Sequence, residues 1–237
     1  MSFFSARNLV AGYQKESRVL NGIDFELDQG EIVALIGRNG MGKTTFLETI
    51  TGHIAPSSGM LLFRDVDITA AQPYIVARAG IGYVPQGREI FNEFSVEQNL
   101  LMGAIGKPEL ANKIPDWAFT IFPVLAERRK QRAGTLSGGQ QQQLAIIRAL
   151  VGSPSLLLLD EPSEGIQPSI VQNIGTTMAK IAAESGLTIL LVEQNLELAI
   201  SLANRCVFME NGRIVEEVED ISRLRNDQEL VHRYLSA

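Results

Sequence analysis

Cysteine is nearly missing: Cys206 is the single one in 237 residues, so no disulfide can form within the chain. With only two histidines, His53 and His232, no Cys/His group has the spacing of a metal site. Long hydrophobic runs are missing as well. The longest, Leu156 to Leu159 and Thr188 to Val192 with its neighbours, fall far below the ~20 residues that a membrane helix needs, so any membrane role is expected to be peripheral. The opening Met1 to Asn8 has no basic segment followed by an apolar run, so no secretory signal is expected and the cytosol is the default compartment. Excess positive charge is lacking too: the net charge is −6, which argues against bulk nucleic-acid binding driven by phosphate neutralisation. No repeat or low-complexity linker divides the chain.

What is present fits one α/β domain, with 45% hydrophobic and 20% charged residues, a balance that argues against both disorder and a fibrous chain. Ala6 to Val10 and the alternating Gly22 to Leu27 predict a hairpin-like antiparallel β region across a turn at Gly12 to Glu16. Glu31 to Ile36 predicts a strand, and Thr44 to Ile50 a helix stopped by Gly52. Further buried strands are expected at Ser155 to Asp160, Leu187 to Val192 and Arg205 to Met209, the last before an Asn211-Gly212 turn. Between the first two of these, Ile170, Ile174, Met178 and Ile181 draw an apolar helical stripe and complete a βαβ unit. From about Glu97 to Ala133 strand signals are absent. That stretch predicts helical material broken by Pro108, Pro115 and Pro123.

Gly37-Arg38-Asn39-Gly40-Met41-Gly42-Lys43-Thr44 has the spacing of a phosphate-binding loop, placed between a strand and a helix as that loop requires. Glycines at 37, 40 and 42 are expected to adopt positive φ and bring backbone N–H groups to the ligand, beside the positive end of the helix. Lys43 would reach the terminal phosphates, Thr44 would offer a hydroxyl to Mg²⁺, and Thr45 would meet the α phosphate. The Leu156 to Leu159 strand ends in Asp160 and Glu161, and acids so close to an interior need a cation. Asp160 suits the Mg²⁺ shell, and Glu161 suits the attacking water.

Leu136-Ser137-Gly138-Gly139-Gln140, at the start of an expected helix, resembles the signature motif of the ABC ATPase family. That resemblance covers almost the whole chain. It implies a phosphate-loop core with an antiparallel β region over 1–86 and 151–237, and an inserted helical subdomain over roughly 87–150. It also implies ATP and Mg²⁺ as ligands, ATP hydrolysis coupled to transport, and a head-to-tail pair in which Ser137, Gly138, Gly139 and Gln140 close on the ATP of the other subunit. By the same resemblance Tyr13 stacks on adenine, and Gln86 after Ile81-Gly82-Tyr83-Val84-Pro85 is the glutamine that touches Mg²⁺ and water. The expected partners are a second, non-identical ATPase subunit, membrane permease subunits at the cytoplasmic face and, indirectly, a solute-binding protein.

Two positions depart from the family pattern. Gln194 stands where a γ-phosphate-sensing histidine is usual, and Gln167 where the dimer-contact loop usually ends in aspartate. An amide can hold phosphate and water much as neutral imidazole does, so Gln194 is expected beside the γ phosphate, with capping of the following helix as its bland alternative. Val192 to Asn195 together with Glu164 to Ser169 resembles the importer branch for branched-chain amino acids, urea and short amides. The alternatives are a non-transport ABC ATPase acting on nucleic acid or ribosomes, which usually fuses two ATPase halves or carries long coiled coils, and a lipid or lipopolysaccharide exporter subunit.

Overall fold

The computed structural model describes residues 2–14, 17–105, 113–225 and 227–235. Glu16 of the expected first turn and Pro108 of the expected helical stretch lie outside them. β1 (Phe4–Ala11) turns back as β2 (Leu20–Leu27) with Phe4 opposite Leu27, the hairpin that the alternating pattern predicts. The turn after it leads into β3 (Ile32–Ile36) and then α1 (Lys43–Ile50), and Gly52 just beyond has φ 78. A second hairpin, β4 (Ser58–Phe63) with β5 (Val66–Asp67), turns on Arg64 and Asp65, both in the left-handed region. α2 (Pro73–Ala79) starts on proline, where no N–H is needed, and is closed by Gly80 before β6 (Ile81–Val84).

Among the described residues four helices follow without an intervening strand: α3 (Val96–Gly103), α4 (Trp117–Thr120), α5 (Pro123–Glu127) and α6 (Gly138–Val151). Pro123, expected as a break, instead opens α5, because proline at the first helical position costs no hydrogen bond. The chain then runs through β7 (Leu156–Asp160), α7 (Pro168–Ser185), β8 (Thr188–Glu193), α8 (Leu196–Leu202), β9 (Arg205–Glu210), β10 (Arg213–Val218) and α9 (Gln228–Leu235).

The strands form two sheets. One is four-stranded and antiparallel in the order β2-β1-β4-β5; the other is six-stranded in the order β10-β9-β3-β8-β7-β6, parallel except for β10. Both faces of the parallel sheet are covered, which is why its strands read as unbroken apolar runs. Alternate residues go to opposite sides. Ile32, Ala34, Ile36, Leu157, Leu159, Ile189 and Leu191 share a core with Leu144 and Ile147 of α6, Ile174 and Met178 of α7 and Leu198 of α8. Val33, Leu35, Leu156, Leu158, Leu190 and Val192 share the other core with Phe46 and Leu47 of α1 and with Phe4, Phe25 and Phe63 of the antiparallel sheet.

Candidate active site

The register of the parallel strands places four strand ends on one edge. Ile36 stands opposite Glu193, Asp160 opposite Val192, and Val84 opposite Leu159. The segments beginning at Gly37, Gln194, Glu161 and Pro85 therefore leave the sheet together, at the carboxyl ends where open α/β sheets form their clefts.

Gly42 is the N-cap of α1, in the left-handed region at φ 104, and no side chain caps the helix. Its first N–H groups are open to an anion. Gly40 also has positive φ, at 79, but Gly37 does not, which corrects the expectation for all three glycines. Gly37 is needed for space instead: a Cβ there would sit 2.5 Å from the carbonyl oxygen of Met209. Met41 anchors the far side of the loop, its carbonyl accepting the Gly212 N–H at 3.0 Å. Lys43, only 4% exposed, donates to the carbonyls of Gly37 at 2.7 Å and Arg38 at 3.0 Å and lies 3.2 Å from Glu161 Oε1.

Asp160 is 1% exposed, and its Oδ1 has no hydrogen-bond partner. Oδ2 accepts from the Tyr83 hydroxyl at 3.4 Å. Burial pushes its pKa up to about 6; the Thr44 hydroxyl pulls the other way, and the negative Glu161 pushes further up. A cleft of about 440 Å³ lies in front, lined by Thr44, Glu48, His53, Tyr83, Gln86 and Asp160 among others.

Glu161 takes the left-handed conformation, φ 45, while its N–H continues the strand pairing to the Val192 carbonyl at 2.9 Å. Three side chains converge on its carboxylate. Besides Lys43, the Gln86 amide donates to Oε2 at 3.3 Å and to Glu164 at 3.0 Å, and the Gln194 amide donates to Oε1 at 3.1 Å and to the Asn39 side chain. Capping of α8 belongs to the neighbouring Asn195, whose side chain accepts from the Leu198 N–H.

Tyr13 is 64% exposed at the end of β1, its hydroxyl donating to Glu48 at 3.0 Å and accepting from Thr45 at 3.3 Å. Ser137 and Gln140 form a capping box at the start of α6. Gly138 lies against the Arg88 guanidinium, and Gly139 faces Ile170 and Ile166, where a Cβ would sit 2.5 Å from the terminal methyl of Ile170 and oblige that side chain to shift. Among the described residues no hydrogen bond or ion pair links Ser137 to Gln140 with the phosphate loop, so the structure does not bring these two motifs together within one chain. Gln167 precedes α7 with an exposed side chain that caps nothing.

Two side chains escaped the sequence reading. Tyr83 holds Asp160, and no sequence signal marks a tyrosine in a strand for that role. Glu193 is 2% exposed and accepts three backbone N–H groups, those of Ser163, Gln194 and Asn195. Burial raises its pKa, and the three N–H groups pull it back. The acid at the end of a buried strand that singled out Asp160 would have singled out Glu193 as well.

Residues 20–164 match the family model described as ABC transporter. Over 207 residues the chain is 42% identical to the high-affinity branched-chain amino acid transport ATP-binding protein BraG of Pseudomonas aeruginosa, covering 87% of this chain and 88% of that one. It is 37% identical over 208 residues to LivF of Archaeoglobus fulgidus, covering 87% of each. The fold superposes on the ADP conformation of MJ1267, an ATP-binding cassette of an ABC transporter, with TM-score 0.83 and 29% identity over 98% of both chains.

Proposed function

Because the chain belongs to the ABC transporter family as an ATP-binding subunit, we propose that it hydrolyses ATP to drive an importer for branched-chain amino acids, urea or short amides. The observation that carries the site assignment is the convergence of Lys43, Gln86 and Gln194 on Glu161, beside a buried Asp160 and the uncapped start of α1. The likeness to BraG, a transport subunit by name, favours this over a non-transport ATPase or an exporter.

In this reading residues 37–45 cradle the ATP phosphates and Tyr13 stacks on adenine. The unpartnered Oδ1 of Asp160, the Thr44 hydroxyl and the Gln86 amide supply the oxygen donors that suit Mg²⁺. When bound, Mg²⁺ offsets phosphate charge. Lys43 turns from Glu161 to the phosphates and so frees the carboxylate. Glu161 then accepts the proton of the water whose oxygen attacks the γ phosphorus, while the bond to the bridging oxygen breaks and ADP leaves. Gln194 holds the γ phosphate and that water.

Ser137, Gly138, Gly139 and Gln140, which among the described residues make no hydrogen bond or ion pair to their own loop, serve the ATP of a second, non-identical ATPase subunit. Residues 87–150 form a helical subdomain in this scheme. The permease docks at the cytoplasmic face in a groove of about 690 Å³, where Tyr74, Phe91, Met102 and Ile105 meet His53 and Arg148; a solute-binding protein delivers the solute from outside. No nucleic acid takes part. Among the described residues no helix is long and apolar enough to cross a membrane, in keeping with a peripheral subunit.

The test is Glu161→Gln: ATP affinity is kept while kcat falls by about 100-fold or more, and the variant accumulates as an ATP-bound dimer. Wild-type turnover of this variant at saturating Mg-ATP removes Glu161 from the chemistry.

A further inference from the structure

β8 ends in a carboxylate rather than another apolar side chain, and Glu193 pairs with no lysine or arginine among the described residues. Its two oxygens are divided between two loops. Oε1 accepts the Ser163 N–H at 2.9 Å, two residues beyond Glu161. Oε2 accepts the N–H groups of Gln194 at 3.1 Å and Asn195 at 3.0 Å. The Gln194 amide reaches back to Glu161 at 3.1 Å, closing a ring that runs Glu161, Pro162, Ser163, Glu193, Gln194 and again Glu161.

Burying a carboxylate is costly unless every oxygen is satisfied, and an apolar residue would fill a strand end more cheaply. What an apolar residue cannot do is hold three backbone donors from two loops at once. Beyond the ends of β7 and β8, these N–H groups have no sheet partner to meet.

We propose that Glu193 is a positioning residue that sets the separation of Glu161 and Gln194 by clamping the loop after β7 to the loop after β8. This rests on the roles given above to Glu161 and Gln194. A glutamine at 193 keeps the shape but offers one acceptor oxygen and turns an NH₂ toward a backbone N–H, so one loop is released. An aspartate keeps the charge but is one methylene too short to span both.

The test compares Glu193→Gln and Glu193→Asp with wild type and Glu161→Gln in the full chain. It measures ATP affinity by titration with a fluorescent ATP analogue, steady-state kcat and KM, and amide hydrogen exchange at Ser163, Gln194 and Asn195. Expected are an affinity within about twofold of wild type, a kcat lowered about 10- to 100-fold, since small misplacements of reacting groups have that effect, and faster exchange at Ser163 than in wild type. The Asp variant guards against a Gln variant that fails to fold, and the exchange readout does not depend on turnover. Wild-type kcat in both variants, unchanged exchange at Ser163, or a loss of ATP binding as large as the loss of kcat overturns the clamp. Should Glu161→Gln turn over like wild type, the hydrolytic assignment falls instead, and exchange at Ser163 still decides whether Glu193 clamps the loops.

Discussion

Asp160 and Gln194 show how a single side chain carries its own test. With its pKa raised to about 6 from a usual 3.8, native Asp160 holds its proton at pH values where the unfolded chain has lost it. Between those values the native state binds more protons, so in Mg²⁺-free buffer this group's contribution to stability falls as pH rises from about 4 to about 6. Roughly two pKa units correspond to about 3 kcal/mol. Asp160→Asn carries no buried charge, so its stability advantage over wild type should open across that window and stay flat above pH 7. Equal gaps at pH 4 and pH 7 in chemical denaturation would contradict the buried charge. For Gln194, whose amide does not titrate near neutrality, Gln194→Ala should lower kcat more than ATP affinity. Gln194→His should keep activity and add a pH dependence between about 6 and 7. An unchanged rate in Gln194→Ala removes this side chain from the γ-phosphate site.

The phosphate loop, taken as an element, uses its glycines for different reasons. Gly37 is squeezed against β9 at the Met209 carbonyl, whereas Gly40 faces open space and is required for its φ of 79. Gly37→Ala should therefore cost about 1–3 kcal/mol of stability through overpacking, together with a weakened ATP affinity. Gly40→Asn should be milder than Gly40→Val, because asparagine tolerates the left-handed region and valine does not. Thermal melts and ATP titrations of these three variants separate a steric glycine from a conformational one. Other elements were unevenly legible. β3, β7, β8 and the α7 stripe were readable because burial on both faces or on one stripe imposes a strong pattern. β10 was missed because it is an edge strand with no fully buried residue and a bulge between Ile214 and Glu216, so its alternation never becomes clear. β4 was missed because it opens with Ser58-Gly59-Met60, all exposed.

Across the whole molecule, no hydrogen bond or ion pair among the described residues joins the start of α6 to the phosphate loop of its own chain. If that helix end serves a neighbouring subunit, Gly138→Asp should abolish hydrolysis in the assembled pair while leaving ATP affinity of the isolated chain within about twofold. The substitution is tolerable locally, since a Cβ at 138 comes 3.3 Å from the Arg88 guanidinium, which an aspartate can pair. A loss of affinity in the isolated chain as large as that of Lys43→Ala would place the signature in its own chain's site.

By itself the sequence determined the local chemistry: the glycine spacing of a phosphate loop between a strand and a helix, two acids closing the Leu156–Asp160 strand, and Ser137 with Gln140 capping the helix they begin. These are short-range properties, set by backbone freedom and by residues within one turn of each other. Tertiary structure alone decided which distant groups meet. The parallel register of β3, β8, β7 and β6 brings Gly37, Gln194, Glu161 and Gln86 to one edge although they are separated by up to 157 positions. That register comes from packing apolar side chains on both faces of the sheet, and a shift of one residue would exchange the two cores. For the same reason Tyr83 and Glu193 acquire their partners only in the fold: the value of a buried hydroxyl or carboxylate lies in the donors and acceptors that other strand ends deliver to it.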